Sequence, residues 1–138
     1  ERWVKRYTIA DVVFIGFTSY QELPRYYQTA DVFCAPAINR ESFGIVLLEA
    51  MAMGKPIIAT NIDGYASVVT HDEEGWLIPP KDSQQLAQAL ISIIRDEKLR
   101  QEMGRKGKLK AQQYSWENVA KRVFDCYLKV LNEAHYSE

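Results

Sequence analysis

The succession of short apolar runs and helical stretches constrains this chain more than any other feature. Val32-Phe33-Cys34-Ala35-Pro36, Pro56-Ile57-Ile58-Ala59-Thr60 and Gly75-Trp76-Leu77-Ile78-Pro79-Pro80 are short and apolar, and Val12-Val13-Phe14-Ile15-Gly16 has the same character. Runs of this kind read as strands buried on both faces. Helical stretches between them predict an α/β fold with a parallel sheet covered on both sides, because parallel neighbours need crossover connections.

Trp3, Val4 and Tyr7 fall at helical spacing, and residues 23–30 suit a short helix with Pro24 in its first turn. Residues 44–53 read as a helix stopped by Gly54, and residues 65–69 as one or two helical turns. Asp82 or Ser83 caps a helix through Leu86, Leu90 and Ile94. Residues 98–113 are polar with a thin apolar stripe, and Ser115 caps a last helix that carries Val119, Val123, Tyr127, Val130 and Leu131 on one side. About 1–80 is thus expected to form βα units and about 81–138 a helical tail. Four strands are few for a doubly wound sheet and the chain opens in the tail of a helix, so a preceding part is expected to be missing.

With 138 residues, 47% hydrophobic and 25% charged, the chain has material for one core and is not composed like a disordered segment. A net charge of −1 gives no electrostatic basis for a nucleic-acid partner. The cluster Arg105-Lys106-Gly107-Lys108-Leu109-Lys110 reads first as the solvated face of a helix, and second, with Lys98 and Arg100, as a site for anionic lipid head groups. Cys34, inside an apolar run and far from Cys126, fits a reduced, cytoplasmic setting. No apolar stretch approaches the ~18 residues of a membrane span, so membrane contact would be peripheral. His71 and His135 have no second histidine or cysteine at ligand spacing, so no metal site is expected. The segment His71-Asp72-Glu73-Glu74 reads as a solvated turn.

The chemistry concentrates in Glu41-Ser42-Phe43-Gly44-Ile45-Val46-Leu47-Leu48-Glu49, where two carboxylates bound a nearly uncharged apolar run. In open parallel sheets, ligands bind beyond the carboxyl ends of strands, and the loop over residues 36–41 follows such an end. A helix starting near Ser42 offers unpaired N–H groups around Ser42, Phe43 and Gly44 and the positive end of its dipole, which favours an anion such as phosphate. Gly44 allows a ligand close to the backbone. Five residues beyond it, at ~1.5 Å each or ~7.5 Å in all, Glu49 is within reach of the same ligand. A sugar, a diphosphate and a ribose in a row match that layout. Spacing alone leaves an equal alternative, in which Glu41 is a dipole-favoured charge and Glu49 is paired with a Lys or Arg.

The segments Ala30-Asp31-Val32-Phe33-Cys34-Ala35-Pro36 and Glu41 to Thr60 resemble the donor-binding half of retaining glycosyltransferases of the GT4 family, whose signature is E-x7-E. Phe14-Ile15-Gly16-Phe17-Thr18, Gly64 with Val68-Val69, and Gly75 to Pro80 extend the likeness over most of the chain. The run from Cys34 to Leu47 is most similar to phosphatidylinositol mannosyltransferase-like members. The resemblance implies the distal part of a Rossmann-like C-terminal domain of a GT-B enzyme, transferring a hexosyl group, with GDP-mannose as first donor and a UDP-sugar as second. No metal or other cofactor is implied. It further implies that Glu41, the catalytic candidate, bonds the sugar hydroxyls. The segment Ser42, Phe43, Gly44 and Ile45 receives sugar and phosphate oxygens, Glu49 takes the ribose hydroxyls, and Thr18 approaches the base.

In that family an upstream glycine-rich segment supplies an Arg and a Lys to the diphosphate, and an N-terminal domain holds the acceptor. Neither is in this sequence, so the chain alone is expected to be inactive. The resemblance also places the last helix against the missing domain, leaving part of its Val119, Val123 and Tyr127 side uncovered here. Two rival readings stand beside this one: a non-catalytic nucleotide-sugar-binding module, and an α/β interaction domain.

Overall fold

A computed structural model describes residues 1–39 and 41–135, without the side chains of 134 and 135. Arg40, in the loop expected to carry the site, and the His135 side chain lie outside the described residues. The elements in order are α1 (Arg2–Arg6), α2 (Leu23–Thr29), β1 (Phe33–Ala35), α3 (Ile45–Ala52), β2 (Ile57–Thr60), α4 (Asp63–Ala66), β3 (Gly75–Ile78), α5 (Ser83–Arg95), α6 (Glu97–Gln112) and α7 (Trp116–His135).

The strands form a three-stranded parallel sheet in the order β1-β2-β3, with Cys34 opposite Ile58 and Ile58 opposite Trp76. All four residues of β2 are buried, and they divide by alternation. Ile57 and Ala59 join Leu47, Met51 and Val68 in the core on one face. Ile58 joins Ala89, Ile93 and Met103 on the other. Side chains alternate across a strand, so a central strand covered by helices on both sides must be apolar throughout.

Three of the four expected strands form. Residues 12–16 do not: they are neither helix nor strand, and Val13 is 81% exposed. β-branched residues favour a pleated backbone, but a strand also needs a neighbour to take its N–H and C=O groups. The sheet of the described residues starts at β1, and no ladder reaches residues 12–16.

Local signals explain the helix ends. The Asp82 carboxylate accepts from the Gln85 N–H at 2.8 Å, and Asp96 caps α6 in the same way through Leu99 at 2.9 Å. Gly54 stops α3 with φ 71°, the left-handed conformation that favours glycine. Helix α6 lies against α3, with Gly104 so close to Gly54 that a Cβ there would sit 2.1 Å from the Gly54 carbonyl oxygen. The helical tail therefore packs back on the element that follows β1. Along α7, Val119 is half-buried, while Val123 is 49% and Tyr127 66% exposed, so that side is largely uncovered.

Two polar expectations are corrected. Glu74 is buried, not part of a solvated turn: it accepts from the Thr70 N–H at 2.8 Å and from Lys110 Nζ at 3.1 Å. The basic cluster of α6 is accordingly not simply a solvated face, since Lys106 also reaches Glu73 at 2.8 Å. Arg100 donates to the carbonyls of Ile93 and Ile94 and closes the end of α5.

Candidate functional site

Because β1 and β2 are parallel neighbours, their carboxyl ends release two loops on the same side of the sheet. The loop after β1 leads to α3, and the short connection Asn61-Ile62 after β2 leads to α4. The Thr60 hydroxyl, on a nearly fully buried residue, donates to the Ala37 carbonyl and ties the loops together. Between them lies a cleft of about 720 Å³ whose polar lining includes Asn39, Glu41, Ser42, Asn61, Asp63 and Ser67.

Two glycines set the shape of this cleft wall. Gly44 caps α3 with φ 81°, and a Cβ there would also fall 2.7 Å from the Tyr65 ring. Any other residue would meet both backbone strain and a clash. Gly64 lets α4 approach the Glu41–Ser42 backbone directly. Internal packing thus already accounts for Gly44, apart from any ligand that approaches it.

Helix α3 starts at Ile45 rather than near Ser42, which moves its unpaired donors along the chain. Leu47 N–H bonds to the Gly44 carbonyl at 2.9 Å, and the N–H groups of Ile45 and Val46 have no protein acceptor among the described residues. The helix dipole adds positive potential at that end. Ser42 and Phe43 lie before the cap.

The two carboxylates of the signature line different clefts. Glu41 is exposed, makes no ion pair among the described residues, and contributes with Asp63 to the first cleft, whose described lining has no Lys or Arg. Burial and then the Glu41 charge hold the Tyr65 phenol above its ordinary pKa. Such a lining of carboxylates, amides and hydroxyls accepts and donates hydrogen bonds to neutral hydroxyls. Glu49 is half-buried and lines a second, more apolar cleft of about 500 Å³ with Phe43, Ile45, Leu48, Tyr114 and Trp116. The Ser42-Phe43 step marks the change from one cleft to the other, and the Phe43 ring lies 5.8 Å from that of Tyr114.

Glu49 is not paired with a Lys or Arg among the described residues. Its partner is Tyr27, whose hydroxyl donates to Glu49 Oε2 at 2.8 Å. Thr18, expected near a base, is half-buried in the loop before α2 and lines neither cleft. No group of three or more His, Cys, Asp or Glu residues placed to hold a metal occurs among the described residues.

Sequence reasoning missed Asn61, Asp63 and Ser67, although a signal was available: Asn61-Ile62-Asp63 follows the strand 56–60 just as residues 36–41 follow β1. Trp116 is 87% exposed at the start of α7 and lines the second cleft.

The family model described as glycosyl transferases group 1 matches residues 1–110. A phosphatidyl-myo-inositol mannosyltransferase from Mycobacterium leprae is 42% identical over 100 residues, covering 72% of this chain and 27% of that protein. Among solved structures, a sucrose-phosphate synthase from Thermosynechococcus elongatus matches with TM-score 0.86 and 33% identity, over 96% of this chain and 33% of that one. HepE from Anabaena in complex with UDP-glucose matches with TM-score 0.76 and 28% identity, over 81% of this chain and 30% of that one. This chain therefore spans about a quarter to a third of the length of these relatives.

Proposed function

This chain belongs to the glycosyl transferases group 1 family and shares the fold of GT-B glycosyltransferases, and from that premise we propose that it is the partial C-terminal, donor-binding domain of a retaining hexosyltransferase. The donor is a nucleotide-diphospho-sugar, with GDP-mannose first and a UDP-sugar second. The likeness to a mannosyltransferase supports the first choice, and the UDP-glucose held by HepE keeps the second.

The observation that carries this reading is the junction at α3. An exposed carboxylate at Glu41, unpaired among the described residues, stands beside a polar cleft at the strand ends, one short turn before N–H groups at a helix start that have no acceptor among those residues. Glu41 accepts from donor sugar hydroxyls, and the backbone of Phe43, Gly44 and Ile45 receives sugar and phosphate oxygens. Glu49 accepts from the ribose, and Thr18, which lines neither cleft, is assigned to the base by the family resemblance alone.

Transfer with retention proceeds through an oxocarbenium-like state in which negative charge grows on the leaving diphosphate. Donors aimed at that charge lower the barrier. In this reading the α3 amides share the task with an Arg and a Lys from an upstream segment, and no metal is required. The acceptor is held by an N-terminal domain outside this sequence, so the chain alone gives no turnover. The parent works in the cytoplasm, with peripheral membrane contact where its acceptor is a lipid; among the described residues no helix is long and apolar enough to cross a membrane.

Calorimetric titration of the intact parent protein with GDP-mannose, UDP-glucose and UDP-N-acetylglucosamine tests the reading. One donor is expected to bind, with affinity lost in both E41A and E49A. Binding of none, or binding indifferent to both substitutions, overturns it.

A further inference from the structure

Tyr27 and Glu49 stand 22 residues apart in sequence, yet the tyrosine hydroxyl bonds Glu49 Oε2 across the α2–α3 junction. The Tyr27 ring is 8% exposed and meets the Phe33 ring edge-on, with centroids 5.5 Å apart. Helix α2 is held in turn by Lys55 Nζ, which donates to the Gln28 carbonyl at 2.8 Å. The hydroxyl therefore projects from a fixed base.

A half-buried carboxylate needs compensation for lost water, and a cation is the common answer. Here the compensation is a neutral donor, and no Lys or Arg lies within ion-pair distance of Glu49 among the described residues. A cation would cancel the charge. A phenol leaves it intact, occupies one oxygen, and restricts the side chain to fewer rotamers. The second oxygen remains available on a carboxylate that lines an open cleft. Burial first, and then the bond to Glu49 and its charge, hold the Tyr27 proton more tightly than in an ordinary phenol, so the hydroxyl stays a donor at neutral pH.

We propose that Tyr27 is a positioning residue for Glu49: it anchors one carboxylate oxygen so that the other is presented, charged and oriented, to the vicinal hydroxyls of the donor's ribose. This rests on the reading of Glu49 as the ribose acceptor. The order that a free glutamate would lose on binding is already imposed by the tyrosine.

The test compares the intact parent protein with its Y27F, E49Q and Y27F/E49Q variants, titrated with the nucleoside diphosphate of the preferred donor (GDP or UDP) and with its 2′,3′-dideoxy form. Phenylalanine keeps the buried ring, and a melting scan checks the fold. Y27F is expected to weaken ribonucleotide binding by about fivefold to tenfold, the cost of ordering a Glu49 side chain that the tyrosine no longer holds. It leaves dideoxy binding unchanged, and the double variant binds no more weakly than E49Q alone. Equal weakening toward both nucleotides marks a merely structural tyrosine and overturns the proposal. Unchanged ribonucleotide binding in Y27F, with the ribose preference lost in E49Q, also overturns it while leaving the ribose role of Glu49 standing. A ribose preference that survives in E49Q removes that role and the proposal together.

Discussion

Gly64 lies directly beneath the Glu41 backbone: a Cβ on Gly64 would sit 2.0 Å from the Glu41 carbonyl oxygen. The wall that carries the exposed carboxylate therefore rests on α4 with no room for one methyl group. G64A is expected to push the loop outward and to destabilise the fold by about 1–3 kcal/mol, the usual range for overpacking. Chemical denaturation reads the stability and donor titration the displacement. A variant with unchanged midpoint and unchanged affinity would show that the contact does not hold the loop.

Alkaline pH should loosen the same region. Tyr27 is held above its ordinary pKa by burial and by Glu49, and Tyr65 by burial and by Glu41. The folded values are raised, while the unfolded tyrosines ionise near ~10. Their stabilising share is therefore complete below about pH 10 and is lost as pH climbs beyond it, because the unfolded chain releases these protons first. Urea midpoints should fall above about pH 10, less steeply in Y27F than in the wild type. Parallel slopes for the two proteins would remove Tyr27 as a contributor.

Lys110 should matter more than its neighbour Lys106. It donates to buried Glu74 at 3.1 Å and to the Thr70 hydroxyl at 2.7 Å, whereas Lys106 meets the exposed Glu73. K110M leaves the Glu74 carboxylate, among the described residues, with the Thr70 N–H alone and is expected to cost about 1–3 kcal/mol, the penalty of an under-satisfied buried group. K106M should give a clearly smaller shift in the denaturation midpoint. The reverse order would contradict the geometry.

The two thiols should separate kinetically. Cys126 is exposed on α7, while Cys34 is half-buried in β1 with its thiol pKa raised by desolvation. A thiol reagent at neutral pH is expected to label Cys126 first and Cys34 only slowly, because the thiolate is the reacting form. Peptide mapping of the singly labelled protein identifies the site, and preferential labelling of Cys34 would refute the assignment.

The parts of this fold legible from sequence are those whose signal is local. Ile57 and Ile58 face opposite cores, and only an apolar run satisfies both, so the central strand announces itself. Asp82 and Gly54 mark helix ends within a few residues of the bonds and angles they provide. What failed depends on partners distant in the chain. Residues 12–16 have strand-like composition but no adjoining ladder among the described residues. Glu74 looks solvated beside two other acids until Lys110 arrives from α6. The candidate site divides in the same way. Glu41 and Glu49 stood out by spacing and resemblance, but neither spacing nor composition reveals that Tyr27 engages Glu49 or that the carboxylates line separate clefts.

The ring of Tyr65 occupies the space where a Gly44 side chain would lie, and this has a bearing on binding. It wedges the turn in its left-handed conformation, so the amides at the start of α3 acquire their aim while the chain folds. In the function proposed above, an anion arriving there would meet a preorganised cradle, and less of its binding free energy would be lost to ordering the backbone.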